Sequence, residues 1–348
     1  MKQITLLVIL ITLLLAACTD ENTLVDNDTA KITGLSRANT FLFDTVSVNG
    51  LALGNSVEST KVLINDSEAS IDIISVNPTE VIFVPKQSIT NANISVEVNG
   101  TKTNSIPINV SLTPKYDTVR VSAGKFMMGA LSGFSDETPI HEVNLTKDLY
   151  VFSYEVTKEL WSQVMDTLII PDDDFGFPAD SVTWLRAIEF CNKMSDIYGL
   201  DKAYNLVGPN VTFDYNANGW RLPTEAEWEF FCKAGIDEDF SGNGDINQMG
   251  YFDSNSGLNS HKVGEKLINQ YGLYDVHGNM WEWCWDKYEE NYYTSNPMID
   301  PTGPVTGGRH VMRGGSYQDG FNFARISNRS INKIDYKSIG LRLVKNAQ

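Results

Sequence analysis

Apolar and polar positions alternate in short runs over the first third of the chain. The runs are Thr45 to Val48, Lys61 to Ile64, Ile71 to Val76, Glu80 to Val84, Asn93 to Val98 and Ile106 to Leu112. A period of two turns one side of each run inward, which predicts strands. Asn49-Gly50 and Asn99-Gly100 punctuate them as turns. Residues 31–112 therefore read as a small all-β sandwich.

After a linker at Thr113 to Lys115 the pattern becomes mixed. Val119 to Gly129 reads as a hairpin with Gly124 at its turn, and Thr157 to Met165 and Val182 to Tyr198 carry apolar residues at helical spacing. Val207 to Gly219 is rich in Asn and Gly and reads as irregular. Thr224-Glu-Ala-Glu227 is a capping box, opening a helix whose Trp228, Phe231 and Cys232 form a buried stripe. Glu225 and Glu227 thus read as stabilising residues. Strands and helices together predict an α+β domain over residues 113–348.

One stretch stands apart. Trp281, Trp283 and Trp285 share one face of an extended segment, and Glu282, Cys284 and Asp286 share the other. Beside them lies the turn His277-Gly278-Asn279, whose oxygens together with Glu282 offer a hard cation such as calcium a set of ligands. The same stretch also reads as a plain turn followed by a core strand. Pro171-Asp-Asp-Asp174 is a second acidic loop, without the glycine and distal glutamate of an EF-hand. His141 has no second histidine or cysteine at ligand spacing and reads as structural.

Composition and charge narrow the reading. With 348 residues, 42% hydrophobic and 20% charged, the chain can bury two cores rather than remain disordered. Lys2 followed by the apolar run Ile4 to Ala17 predicts a signal peptide over residues 1–17, since the run is too short to span a bilayer. Leu15-Ala-Ala-Cys18 has the form of a lipobox, which makes Cys18 the lipidated N-terminus. Residues 18–30 then form a polar tether to a membrane, and the expected location is the cell envelope, at the outer membrane. Removing Lys2 with the leader moves the formal net charge from −17 to −18, a surface that repels nucleic acid. Three cysteines remain, Cys191, Cys232 and Cys284, an odd number in apolar patterns, and they read as buried thiols.

Arg221-Leu-Pro-Thr-Glu-Ala-Glu-Trp-Glu229, Tyr271-Gly-Leu-Tyr-Asp-Val-His-Gly-Asn-Met-Trp-Glu-Trp283, Arg313-Gly-Gly-Ser-Tyr317 and Gly340-Leu-Arg-Leu-Val344 follow one another in this order. Taken together they resemble the formylglycine-generating enzyme or sulfatase-modifying factor family, from about Tyr116 to the C-terminus. The resemblance implies a C-type-lectin-like fold. It also implies a calcium site with the side chains of Asn279 and Glu282 and the carbonyls of His277, Gly278 and Met280. Gly50-Leu-Ala-Leu-Gly54 and Val96-Glu-Val-Asn-Gly100 resemble the IPT/TIG type of immunoglobulin-like domain.

Members of the family that oxidise a sulfatase cysteine to formylglycine hold copper on a cysteine pair after Gly-Gly-Ser-Tyr. Here the matching positions are Asp319 and Ala324, neither of which is the soft ligand that Cu(I) requires, so no copper is expected. The four histidines at 141, 261, 277 and 310 include no pair at i, i+4 for an iron site. No catalytic residue is expected. The segment Ser316 to Tyr336 interleaves aromatics with hydrogen-bonding side chains, a mixture suited to recognition. Arg313, Tyr317, Asn322, Arg325, Asn328 and Arg329 are its candidate contacts. The expectation is a non-catalytic, calcium-stabilised recognition or scaffold lipoprotein that meets an envelope protein or a glycan. The alternative is a formylglycine-generating oxidase.

Overall fold

The computed structural model describes residues 30–347 apart from 37–38, 42–45, 69–70, 86–88, 112–115, 166–173, 175, 209, 243 and 332–335. The signal peptide, Cys18, the tether to residue 29 and the acidic loop at Asp172 and Asp173 lie outside the described residues. The chain divides into two compact units, Met1–Leu112 and Thr113–Gln348.

In the first unit the described strands are β1 (Lys31–Leu35), β2 (Asn39–Phe41), β3 (Val46–Leu51), β4 (Thr60–Ile64), β5 (Ser67–Glu68), β6 (Ile71–Asn77), β7 (Glu80–Pro85), β8 (Ile89–Val98), β9 (Thr101–Lys102) and β10 (Ile106–Ser111). One sheet runs β1-β3-β7-β6 and the other β2-β10-β8-β4-β5, with β9 on β8. Val46, Val48, Val81 and Phe83 from the first sheet meet Val62, Ile94, Val96 and Ile108 from the second in one apolar core. Asn99 and Gly100, both at positive φ, form the expected turn between β8 and β9. Asn49-Gly50 does not. It lies inside β3, where Gly50 pairs with Ile32, and a Cβ on Gly50 would come within 2.2 Å of the Lys31 carbonyl. That glycine permits close approach of two strands rather than a turn.

The second unit mixes short sheets with helices. Its strands are β11 (Thr118–Val121), β12 (Gly124–Met128), β13 (His141–Leu145), β14 (Leu149–Phe152), β15 (Tyr204–Val207), β16 (Asn210–Phe213), β17 (Trp281–Lys287), β18 (Met298–Ile299), β19 (His310–Arg313), β20 (Ile339–Gly340) and β21 (Val344–Asn346). The hairpin expected at Val119 to Gly129 is absent. β11 joins β14 and β21 while β12 joins β13 and β18, so the turn before Gly124 carries the chain between sheets. The stretch expected to be irregular contains β16, paired antiparallel with β15.

Three helices follow the expected signals: α1 (Lys158–Met165), α2 (Trp184–Ile197) and α3 (Glu225–Lys233). Thr183 caps α2 by accepting from the Arg186 amide, and α3 has both halves of the Thr224–Glu227 capping box.

β17 lies between β19 and β20 and divides two cores. On one side Trp281 and Trp283 pack with Phe190, Met194, Trp220 and Leu341. On the other Cys284 packs with Trp228, Phe231 and Val311. The second face of β17 is thus as dry as the tryptophan face: Glu282, Cys284 and Asp286 are all buried. Burial is possible because each carboxylate has a partner: Glu282 meets Arg342 from the C-terminal segment, and Asp286 accepts from the Glu225 amide at the start of α3.

Candidate functional site

Five arginines of this unit point inward. Arg221 grips Glu227 through two nitrogens at 2.6 and 2.7 Å. Arg313 donates to Glu225 at 3.0 Å, to Glu229 at 2.6 Å, and to the carbonyls of Ile326 and Asn328. Arg329 holds Glu225 at 2.6 and 2.9 Å, and Arg325 holds both oxygens of Glu137. Arg342 holds Glu282. Burial raises the cost of ionising Glu225, but Arg329 and Arg313 overcome it and hold the carboxyl below its usual range.

This corrects the candidate contact surface. Arg313, Arg325, Arg329, Asn328 and Tyr317 are buried, and of the six residues only Asn322 is exposed. The arginines are turned in because glutamates on α3 and in the Ser135–Glu137 turn wait for them, and a buried carboxylate without a cation is costly.

The loop after β19 is built on two glycines. Gly314 and Gly315 take φ of 96° and 75°, and a Cβ on Gly315 would lie 3.0 to 3.1 Å from Ala324, so glycine lets the loop fold back against that residue. Asp319 Oδ2 then accepts from Ser316 Oγ at 2.5 Å and from the Trp281 indole at 2.8 Å. Ala324 is fully buried, its carbonyl 2.8 Å from His277 Nδ1. The Ser241 amide donates to His277 Nε2, so the ring is a neutral Nδ1–H tautomer. Burial depresses its pKa to about 4. His277 is therefore a strut for the loop.

The side-chain arms of the expected calcium set are engaged by protein donors. Both oxygens of Glu282 accept from Arg342 and Oε2 also accepts from the Trp228 indole, while Asn279 Oδ1 accepts from the His261 amide. His277, Gly278 and Met280 stand beside them in the turn before β17, and Asn279 Nδ2 donates to Glu155 Oε1 at 3.1 Å. Nearby lie two carboxyls that the sequence alone does not single out. Glu155 Oε2 and Asp275 Oδ1 are buried and meet no protein donor. Burial raises the pKa of Glu155 well above its ordinary value and that of Asp275 to about 6. In the sequence Glu155 is visible only as part of Tyr154-Glu-Val-Thr157, which offers no local sign of a partner 120 positions away. Among the described residues no cluster of three or more His, Cys, Asp or Glu side chains is placed to hold a metal ion.

Residues 107–347 match the family described as the sulfatase-modifying factor enzyme 1-like domain. The chain belongs to this family. Over 252 residues it is 30% identical to the chaperone protein LppX of Paenibacillus barcinonensis, covering 61% of this chain and 82% of that one. Over 280 residues it is 28% identical to the formylglycine-generating enzyme of Streptomyces coelicolor, covering 66% and 89%. Among solved structures, Treponema denticola variable protein 1 is similar with a TM-score of 0.60 at 26% identity, covering 80% of this chain and 99% of that one. PvdO from Pseudomonas aeruginosa, at 20% identity and a TM-score of 0.53, shares the fold.

In this sulfatase-modifying-factor domain the positions where the resemblance places a cysteine pair hold Asp319, tied to Ser316 and Trp281, and the buried Ala324. The free cysteines of the described residues, Cys191, Cys232 and Cys284, are all buried, and burial pushes each thiol upward in pKa. Around the same loop lies an exposed apolar cluster that the sequence pattern does not assemble. Phe323 stacks on Phe134 with ring centroids 6.3 Å apart, and Phe321 lies beside Phe240. Leu131, Phe134, Phe321 and Phe323 are all exposed, with Asp237, Glu238 and Asp239 exposed after α3. Its one trace in the sequence is the pair of aromatics at 321 and 323 flanking Asn322.

Proposed function

We propose that the domain is a non-catalytic recognition or scaffold module of a lipid-anchored cell-envelope protein. It presents Phe134, Phe321, Asn322 and Phe323 to a protein partner. The observation that carries this reading is that the loop which would bear redox-active thiols bears instead a hydrogen-bonded Asp319, a buried Ala324 and an exposed aromatic cluster. Apolar clusters of this kind are the centres of interfaces, and the acidic 237–239 run favours a basic partner. The lipid anchor at Cys18 and the outer-membrane location belong to the same proposal.

Calcium belongs to this reading at Glu155 and Asp275 rather than at Glu282. The pair at Glu155 and Asp275 has two buried oxygens with no donor from outside the pair, and a hard cation would replace the proton that the two carboxyls share. Glu282 is already neutralised by Arg342.

The test is a photo-crosslinking residue at Asn322 in intact cells. A discrete adduct that disappears in a Phe321→Ser, Phe323→Ser variant of equal abundance supports the proposal. An unchanged adduct pattern refutes the face. The second reading, a formylglycine-generating oxidase, draws on the similarity to the Streptomyces enzyme. Conversion of a cysteine peptide to an aldehyde by the protein with Cu(I) and oxygen would establish it and displace the first.

A further inference from the structure

A cleft of about 380 Å³ opens between the start of α2, strands β16 and β17, and the 302–305 loop. Its floor is aromatic. Trp184 stacks on His310 with centroids 3.5 Å apart, and Trp285 lies 5.5 Å from Trp184. Neither indole is free to collapse. Trp184 Nε1 donates to the Cys284 carbonyl at 3.0 Å, and Trp285 is backed by Tyr204 and Phe213. Both remain half-buried, with part of each indole facing the cleft.

The wall is held as firmly. Asp300 accepts from the Thr146 amide and the Tyr215 hydroxyl, and Gly303 presses on Asp286, where a Cβ would come within 2.7 Å. Lys287 Nζ donates to the Val305 carbonyl at 2.8 Å. The cleft is therefore formed before any ligand arrives, which removes an ordering cost from binding.

One lysine apart, its lining is uncharged. Among the described residues no carboxylate lines it, and the charged side chain in its lining, Lys287, is bonded to the loop. Burial holds His310 neutral, with a pKa near 4, and its Nδ1 is 2.8 Å from the Trp285 carbonyl. Asn210 and Thr302 supply uncharged hydrogen-bonding groups at the rim. A cationic peptide finds no counter-charge here, and an anion would meet a single ammonium, Lys287, directed at the Val305 carbonyl. A ligand with C–H faces to lie on indoles and hydroxyls to meet an amide and a hydroxyl fits on both counts, and the volume is at the small end of ligand sites.

We propose that this cleft binds a neutral saccharide of one or two rings, stacked on Trp184 and Trp285 and hydrogen-bonded through Asn210 and Thr302. The site shares no residue with the Phe321–Phe323 face and does not depend on a protein partner there.

The test is saturation-transfer NMR on the full chain, with methyl glycosides of glucose, mannose and N-acetylglucosamine, the corresponding disaccharides and an oligoproline peptide. Transfer to the ring C–H protons of a saccharide is expected. Trp184→Ala should weaken it several-fold, up to about tenfold, the size of a lost stacking contact. Asn210→Ala, at an exposed position that does not threaten folding, should weaken it several-fold, whereas Phe321→Ser should leave it unchanged. Absence of transfer to every saccharide, transfer indifferent to both Trp184→Ala and Asn210→Ala, or oligoproline binding in their place would overturn the proposal.

Discussion

Arg313 and Glu229 meet at 2.6 Å in a site from which solvent is excluded on both sides. The same guanidinium also reaches Glu225 and the carbonyls of Ile326 and Asn328, so one side chain ties α3 to the loop that follows β19. A motif that reads as a contact surface is the inner staple of that surface.

Removing the guanidinium strands the buried Glu229 and leaves Glu225 to Arg329 alone. Arg313→Ala should destabilise the second unit by about 3–5 kcal/mol, the range for breaking a buried pair from one side. Arg313→Lys should recover only part of this, because one ammonium cannot reproduce the fork to Glu225, Glu229 and two carbonyls. All seven tryptophans lie between positions 161 and 285, so their fluorescence in urea reports this unit alone. A midpoint unchanged in Arg313→Ala would contradict the assigned role.

The capping box gives a smaller, graded case. Thr224→Ala removes the side-chain acceptor for the Glu227 amide and should cost about 1 kcal/mol. Glu227→Ala removes the reciprocal bond and also leaves Arg221 uncompensated, so it should cost several times more. Equal losses in the two variants would show that the Arg221 pair adds nothing.

These two examples mark what the sequence made legible. The capping box is local, Thr224 and Glu227 being three positions apart, and is readable from the chain alone. Two strand expectations differ from the structure because pairing is decided elsewhere: Gly50 looks like a turn until Ile32 lies opposite it, and β11 and β12 look like a hairpin until β14 and β13 claim them separately. The inward turn of Arg313 depends on glutamates 84 and 88 positions away, and that of Arg325 on Glu137, 188 positions away. Distance along the chain also hid Glu155 and Asp275. That Asp319 and Ala324 stand where a cysteine pair is expected is legible only through the resemblance of the Gly314-Gly-Ser-Tyr317 motif, which supplies the expectation that residue type then answers.

The thiols offer a direct check on burial. With Cys18 replaced by serine, Cys191, Cys232 and Cys284 should fail to react with a thiol-exchange reagent at pH 8 in the native protein. All three should react together in denaturant. Burial removes access and also raises each thiol's pKa, so both factors act in the same direction. Rapid labelling of any one of them in the folded protein would place it on an accessible surface and reopen the question of thiol chemistry in this domain.

Glu155 and Asp275 make the last prediction, one of sign. Both carboxyls have raised folded-state pKa values, Asp275 to about 6, because they are buried facing each other and close to Glu282, with Arg342 as the opposing cation. A raised pKa means the folded protein binds more protons than the unfolded one, so stability falls as pH increases. In the presence of a chelator the contribution of this pair to tryptophan-monitored stability should be fullest below about pH 4, decline as pH rises through 6, and level off above the folded-state values. Calcium should reverse the decline at pH 7 by replacing the shared proton, raising the melting temperature in a concentration-dependent way. Glu155→Gln should flatten the pH dependence and abolish the calcium response, while Glu282→Gln should lower stability without removing that response. If wild type shows the pH decline and calcium has no effect, the pair holds a proton and the domain takes no cation there. A calcium response lost in Glu282→Gln but retained in Glu155→Gln would return the site to the Gly-Asn-Met-Trp-Glu motif.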